Sequence, residues 1–86
     1  MKLIYPKPQQ DIIIPKTLNG ETSEVIFKAV YTEEKKLFWH LNETYIGSTQ
    51  YFHQMSFQPD AGKHILTIVG ESGERLQRQF NLNYTD

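Results

Sequence analysis

From Glu24 onward the chain alternates. Val25, Phe27, Ala29 and Tyr31 fall on one side of an extended segment, with Ile26, Lys28 and Val30 on the other. A two-residue repeat is the mark of a strand with one face packed and the other in water. Leu37, Trp39 and Leu41 repeat the pattern, Tyr45-Ile46-Gly47 continues it, and Tyr51, His53, Met55 and Phe57 form one face of a run from Tyr51 to Phe57. Lys63 to Val69 is rich in β-branched residues. The run from Arg75 to Asn83 sets Leu76, Phe80 and Leu82 against Gln77, Gln79 and Asn81. No stretch carries the helical period.

The breaks between these runs have turn chemistry. Thr17-Leu18-Asn19-Gly20, Asn42-Glu43, Pro59-Asp60-Ala61-Gly62 and Glu71-Ser72-Gly73 separate the alternating segments, and Gly73 stands where a bulged three-residue hairpin needs φ > 0. Pro6, Pro8 and Pro15 mark the opening residues as edge strands or extended lead-in, because proline cannot donate to a central ladder. Leu3 to Tyr5 and Asp11 to Ile14 are the two short strands there. About seven short strands at roughly 8 to 12 residue spacing predict an all-β, immunoglobulin-like antiparallel sandwich, with a small barrel as the other solution.

The chain is 86 residues, so one domain spans residues 1–86, with the first ~15 residues open to being a lead-in from a linker. Five Phe, five Tyr and one Trp can fill a core of that size. Nine basic and ten acidic residues give a formal charge of −1, and the basic ones are scattered. That disfavours nucleic acid, which demands cations gathered on one face. The one charge cluster, Glu33-Glu34-Lys35-Lys36, is mixed in sign and reads as a solvated turn. Apolar runs such as Ile12-Ile13-Ile14 are far shorter than the ~20 residues of a membrane helix, so the chain itself is expected not to insert in a membrane.

No catalytic residue, cofactor or metal site is predicted. There is no cysteine, and His40, His53 and His64 have no acidic neighbour at metal-ligand spacing. None of Ser23, Ser48, Ser56 or Ser72 lies in a Gly-x-Ser-x-Gly or Ser-x-x-Lys context. His64, two residues after Gly62 at the start of a core strand, is expected to bond its ring back to loop backbone. Trp39, flanked by Leu37 and Leu41 at period two, is expected to anchor the core.

The succession Leu37-Phe38-Trp39-His40-Leu41-Asn42, Tyr45-Ile46-Gly47, Phe57-Gln58-Pro59, Gly62-Lys63-His64-Ile65-Leu66-Thr67-Ile68-Val69 and Ser72-Gly73 resembles the C-terminal module of bifunctional penicillin-binding proteins of the 1C type. The likeness covers essentially the whole chain. One departure is that the family's Asp-Gly turn is Asn42-Glu43 here, which leaves the turn type open. The resemblance implies a periplasmic parent anchored in the bacterial inner membrane, with glycosyltransferase and transpeptidase domains ahead of this module. Catalysis would lie in those domains, and the module would be a non-catalytic accessory domain.

Such a domain implies a partner: the neighbouring transpeptidase domain or another cell-envelope protein. The alternative is a carbohydrate-binding module contacting peptidoglycan, which requires at least two exposed aromatic rings on one surface. If Leu37, Trp39 and Leu41 face inward with His64, Leu66 and Ile68, alternation turns Phe38, His40, Ile65, Thr67 and Val69 outward. Those five residues are the candidate interaction surface, with Phe38, Ile65 and Val69 as its apolar stripe. A cover from the chain's own proline-rich start, or from Lys and Gln stems, is the competing expectation.

Overall fold

A computed structural model describes residues 1–15, 24–32 and 34–85. Among the described residues the strands are β1 (Lys2–Tyr5), β2 (Gln10–Pro15), β3 (Val25–Val30), β4 (Leu37–Leu41), β5 (Thr44–Thr49), β6 (Gln54–Phe57), β7 (Gly62–Gly70) and β8 (Arg75–Thr85). They make a three-stranded sheet of order β1-β3-β6 and a five-stranded sheet of order β2-β8-β7-β4-β5. The predicted turn at Thr17–Gly20 lies outside the described residues.

The sandwich of about seven strands expected from the sequence is found, with two differences of detail. The stretch before Pro15 crosses between sheets: β1 pairs with β3 in the small sheet, whereas β2 joins the large one. Having crossed, β2 runs parallel to β8, with Ile12 opposite Leu82 and Ile14 opposite Tyr84. The opening residues, left open as a lead-in by the sequence, therefore supply an edge strand to each sheet. The second difference is at β6, which begins at Gln54 and not at Tyr51, so Tyr51 and Phe52 belong to the loop before it.

The core is the space between the two sheets. Phe27 from β3 and Trp39 from β4 are fully buried and stack with centroids 6.5 Å apart, and Phe80 tilts against Phe27 at 5.7 Å. Leu37, Leu41, Leu66, Ile68, Leu82, Ile12 and Ile14 close around them from the large sheet. The Trp39 indole N–H is buried too and finds its acceptor in Thr49 Oγ1, 2.9 Å away on β5. This satisfies the one polar atom of the largest core side chain.

Backbone handedness is spent at the turns. Asn42 and Glu43 have φ of 49° and 71°, the pair of positive values that defines a type I′ hairpin turn. The turn expected of an Asp-Gly pair is thus kept by Asn-Glu, although Glu tolerates this region poorly. At the β7–β8 hairpin Gly73 has φ 99°, and Gly70 N donates to Glu74 O at 2.7 Å across the three-residue loop Glu71-Ser72-Gly73.

Candidate functional site

Phe38, His40, Ile65, Thr67 and Val69 all stand on the outer face of β4 and β7. Phe38 lies opposite Val69, and His40 opposite Thr67. Phe38 and Val69 are cross-strand neighbours, and Ile65 is set apart from them. Thr67 is buried between them, taking a hydrogen bond from Gln77 Nε2 at 3.1 Å, and His40 beside it packs edge-on against Tyr45 at 5.4 Å. Phe38 and Val69 are half-buried, and Ile65 is 39% exposed at the far side of Thr67. A Gln stem from β8 therefore covers the middle of the stripe.

The three histidines go to three separate places. His40 is on the outer face. His64 joins loops: its Nε2 lies 2.6 Å from the Asp60 carbonyl and its Nδ1 lies 2.7 Å from the Asn42 side-chain amide. A carbonyl only accepts, so Nε2 carries the proton and Nδ1 accepts from the amide. Asn42 Oδ1 in turn accepts from Ile65 N at 2.8 Å, and Tyr84 donates its hydroxyl to the Pro59 carbonyl. This end of the sandwich is stitched by polar groups that consume one another.

His53 is the buried histidine. Its Nδ1 is 2.7 Å from the same Thr49 hydroxyl that accepts the Trp39 N–H, and its Nε2 is buried with no partner among the described residues. Burial holds its pKa below the ordinary imidazole value, because a charged ring there would lose its hydration. Tyr31 meets the ring edge-on at 6.2 Å.

Tyr31 organises the end where His53 sits. Its hydroxyl donates to Glu74 Oε1 at 2.7 Å and accepts from Ser72 N at 3.3 Å, tying β3 to the β7–β8 hairpin. The hydroxyl's hydrogen bond, first, and a backbone bond after it hold the Glu74 carboxyl below its ordinary pKa. Lys35 Nζ donates to Ser72 Oγ at 2.8 Å, and Glu71 N donates to Lys36 O at 2.9 Å. Gly70 permits the approach, since a Cβ there would stand 2.5 Å from the Tyr31 hydroxyl oxygen.

Against this end lies the loop from Gln50 to His53, which displays Tyr51 at 68% and Phe52 at 70% exposure. These are the most exposed aromatic rings of the described residues, and alternation missed them. Tyr51 shares a two-residue phase with His53, which predicts one face for both, yet one ring is out and the other in. The cause is Tyr51's φ of 68°, a left-handed conformation that nothing about a tyrosine announces. Of the other exposed large apolar residues, Ile4, Ile13, Ile26, Val30 and Ile65 are aliphatic, and Tyr45 on β5 is aromatic.

The two-sheet architecture makes this an immunoglobulin-like, fibronectin III-like sandwich. Among solved structures the chain is similar to the fibronectin(III)-like modules of CbhA from Clostridium thermocellum, with a TM-score of 0.70 and 10% identity over 99% of this chain and 98% of that one. At that identity the likeness speaks of fold alone. The sequence is more specific: the penicillin-binding protein C-terminus family matches residues 1–80, and the chain belongs to that family. No curated protein matches it.

Proposed function

We propose that this domain is the non-catalytic accessory module of a bifunctional peptidoglycan synthase of the 1C type, working in the periplasm on a parent anchored in the inner membrane. There it packs on the neighbouring transpeptidase domain or recruits another envelope protein to cell-wall synthesis. The observation that carries this reading is the extent of the family match. Residues 1–80 run from the first strand into the last, so the matched unit is the sandwich itself. The hydrogen bonding around Tyr31 supports the same reading, because His53, Thr49, Tyr31 and the exposed Glu74 are committed to holding loops and core together. Labelling with a fluorescent penicillin tests the non-catalytic part. The parent should label with or without this domain, and a covalent band at the domain's own mass would contradict the proposal.

Glycan binding is the second reading, favoured by the exposure of Tyr45 at 56% and Tyr51 at 68%. The two stand at opposite ends of β5, one at its start and the other just beyond its end, so they do not share one stacking platform. Co-sedimentation of the isolated domain with purified peptidoglycan separates the readings: retention abolished by Tyr45→Ala or Tyr51→Ala would favour glycan over protein.

A further inference from the structure

We propose that His53 is an acid-sensitive latch on the loop from Gln50 to His53. Neutral, its ring closes a hydrogen-bond relay that starts at Trp39 and passes through Thr49. Protonated, the ring leaves the relay and releases the loop. The latch belongs to the fold and stands whether or not the domain docks on a transpeptidase.

The protons of the relay can be placed. The Trp39 indole only donates, so at 2.9 Å it donates to Thr49 Oγ1. The Thr49 hydroxyl turns its own proton to His53 Nδ1, 2.7 Å away. Nδ1 therefore accepts, and the neutral ring carries its hydrogen on Nε2. The reverse tautomer would set two N–H donors on one oxygen and take from the hydroxyl proton the acceptor it has. Two bonds thus join the largest core side chain on β4, through the last residue of β5, to the end of the loop.

A proton from solvent adds at Nδ1, which holds the ring's free lone pair. Nδ1–H then faces an oxygen already engaged by Trp39, and the hydroxyl proton must turn away. The new charge gains no opposite charge in return. Thr49 and Trp39 are uncharged, and so is Gln54, next along the chain. From the end of β3 Tyr31 meets the ring edge-on at 6.2 Å, with its hydroxyl donated to Glu74. Lys35 bonds Ser72, Gln50 takes only the backbone carbonyl of Glu34, and Lys28, opposite Gln54 on β3, is exposed. Burial alone lowers the His53 pKa, with no charged side chain adding to it. Swinging the imidazolium into water restores its hydration.

The loop follows because the ring is one of its three ties. The others are Gln50 Nε2 to Glu34 O at 2.6 Å and Ala29 N to His53 O at 3.0 Å. Between them Phe52 N donates to Gln50 O at 2.8 Å around Tyr51, whose φ is 68°. A tyrosine in that region persists only where its surroundings over-determine it. With the ring gone, the strain at Tyr51 works against the two ties that remain.

The test follows histidine-ring, Trp39 indole and backbone resonances of the isotopically labelled domain from about pH 7.5 to about pH 5. At the upper pH His53 should carry its hydrogen on Nε2. Below 6.5 its ring should titrate, and the Trp39 Nε1–H and the amides of Gln50, Tyr51 and Phe52 should shift with the same midpoint, while those of Phe27 and Leu66 stay. Exchange of the Ala29 amide, corrected for its intrinsic pH dependence, should quicken by up to about tenfold per pH unit in that range. A hydrogen on Nδ1 at neutral pH, or a still loop and indole while His53 titrates, would overturn the latch. So would loss of the Phe27 and Leu66 amides together with the loop, since the event would then be unfolding of the whole domain. His53→Gln should abolish the shared midpoint, and His40→Gln and His64→Gln should keep it; a midpoint lost with His40 or His64 would overturn the assignment. Should His53→Gln fail to fold, the titration of the unaltered domain and of the other two variants decides alone.

Discussion

The two ends of the sandwich use the same rare backbone conformation for opposite purposes. At one end Asn42 and Glu43 take positive φ to fold β4 back into β5, and the polar atoms released there are consumed internally by His64, Ile65 and Asp60. At the other end Tyr51 takes positive φ, and the result is two aromatic rings in water above a tightly bonded base of Tyr31, Glu74, Ser72 and His53. Left-handed residues that close a turn are structural. One that turns a large ring outward gains no burial in return for its strain.

The largest effect should come from the base of the aromatic end. Gly70→Ala would place a methyl against the Tyr31 hydroxyl, forcing that ring away from Glu74 and Ser72. A loss of about 1–3 kcal/mol is expected by urea denaturation, as for overpacking elsewhere. An unchanged midpoint would mean that Tyr31 is free to move and that the base is not rigid.

Acid should also act at this end. The His53 pKa is lowered in the folded state, so the unfolded chain takes up the proton first as pH falls. Its contribution is fully present above the unfolded value of 6.5 and is lost progressively as pH drops toward the folded value, at no more than about 1.4 kcal/mol per pH unit. The Glu74 carboxyl, also lowered, adds acid sensitivity only below its ordinary 4.5. His53→Gln should flatten the upper part of this profile, and equal slopes in the two proteins between pH 6.5 and 5 would contradict the assignment.

At the opposite end the expected effects are smaller because its bonds face water. His64→Ala releases the Asn42 amide and the Asp60 carbonyl to solvent, at a cost of about 1 kcal/mol. Glu43→Gly should do the reverse and stabilise by about 0.5–1 kcal/mol, since glycine accepts the second position of the turn without strain. Thermal denaturation measures both, and a destabilised Glu43→Gly variant would show that the Glu side chain contributes more than its backbone strain costs.

The strands that pack the core were readable because each places large apolar residues two apart: Val25 with Phe27, and Leu37 with Trp39 and Leu41. Gly73 and His64 were readable for local reasons, a bulge that needs positive φ and a ring within reach of loop carbonyls. The parallel pairing of β2 with β8 was not, since it joins residues about seventy positions apart and depends on where β1 ends. Nor was the break in alternation at Tyr51, because residues 51 to 57 satisfy a strand pattern that tertiary bonds to Gln50 and His53 override. The five outer-face residues follow from alternation, but the cover that Gln77 places over Thr67 depends on the neighbouring strand's register.

Tyr51→Gly tests most directly the claim that the left-handed tyrosine is strained and makes no contact the fold needs. Relief of the left-handed tyrosine should leave the domain as stable as before or raise its stability by up to about 1 kcal/mol, roughly 4–8 °C in a domain of this size. A variant that melts lower would contradict the account, because Tyr51 would then be holding the fold.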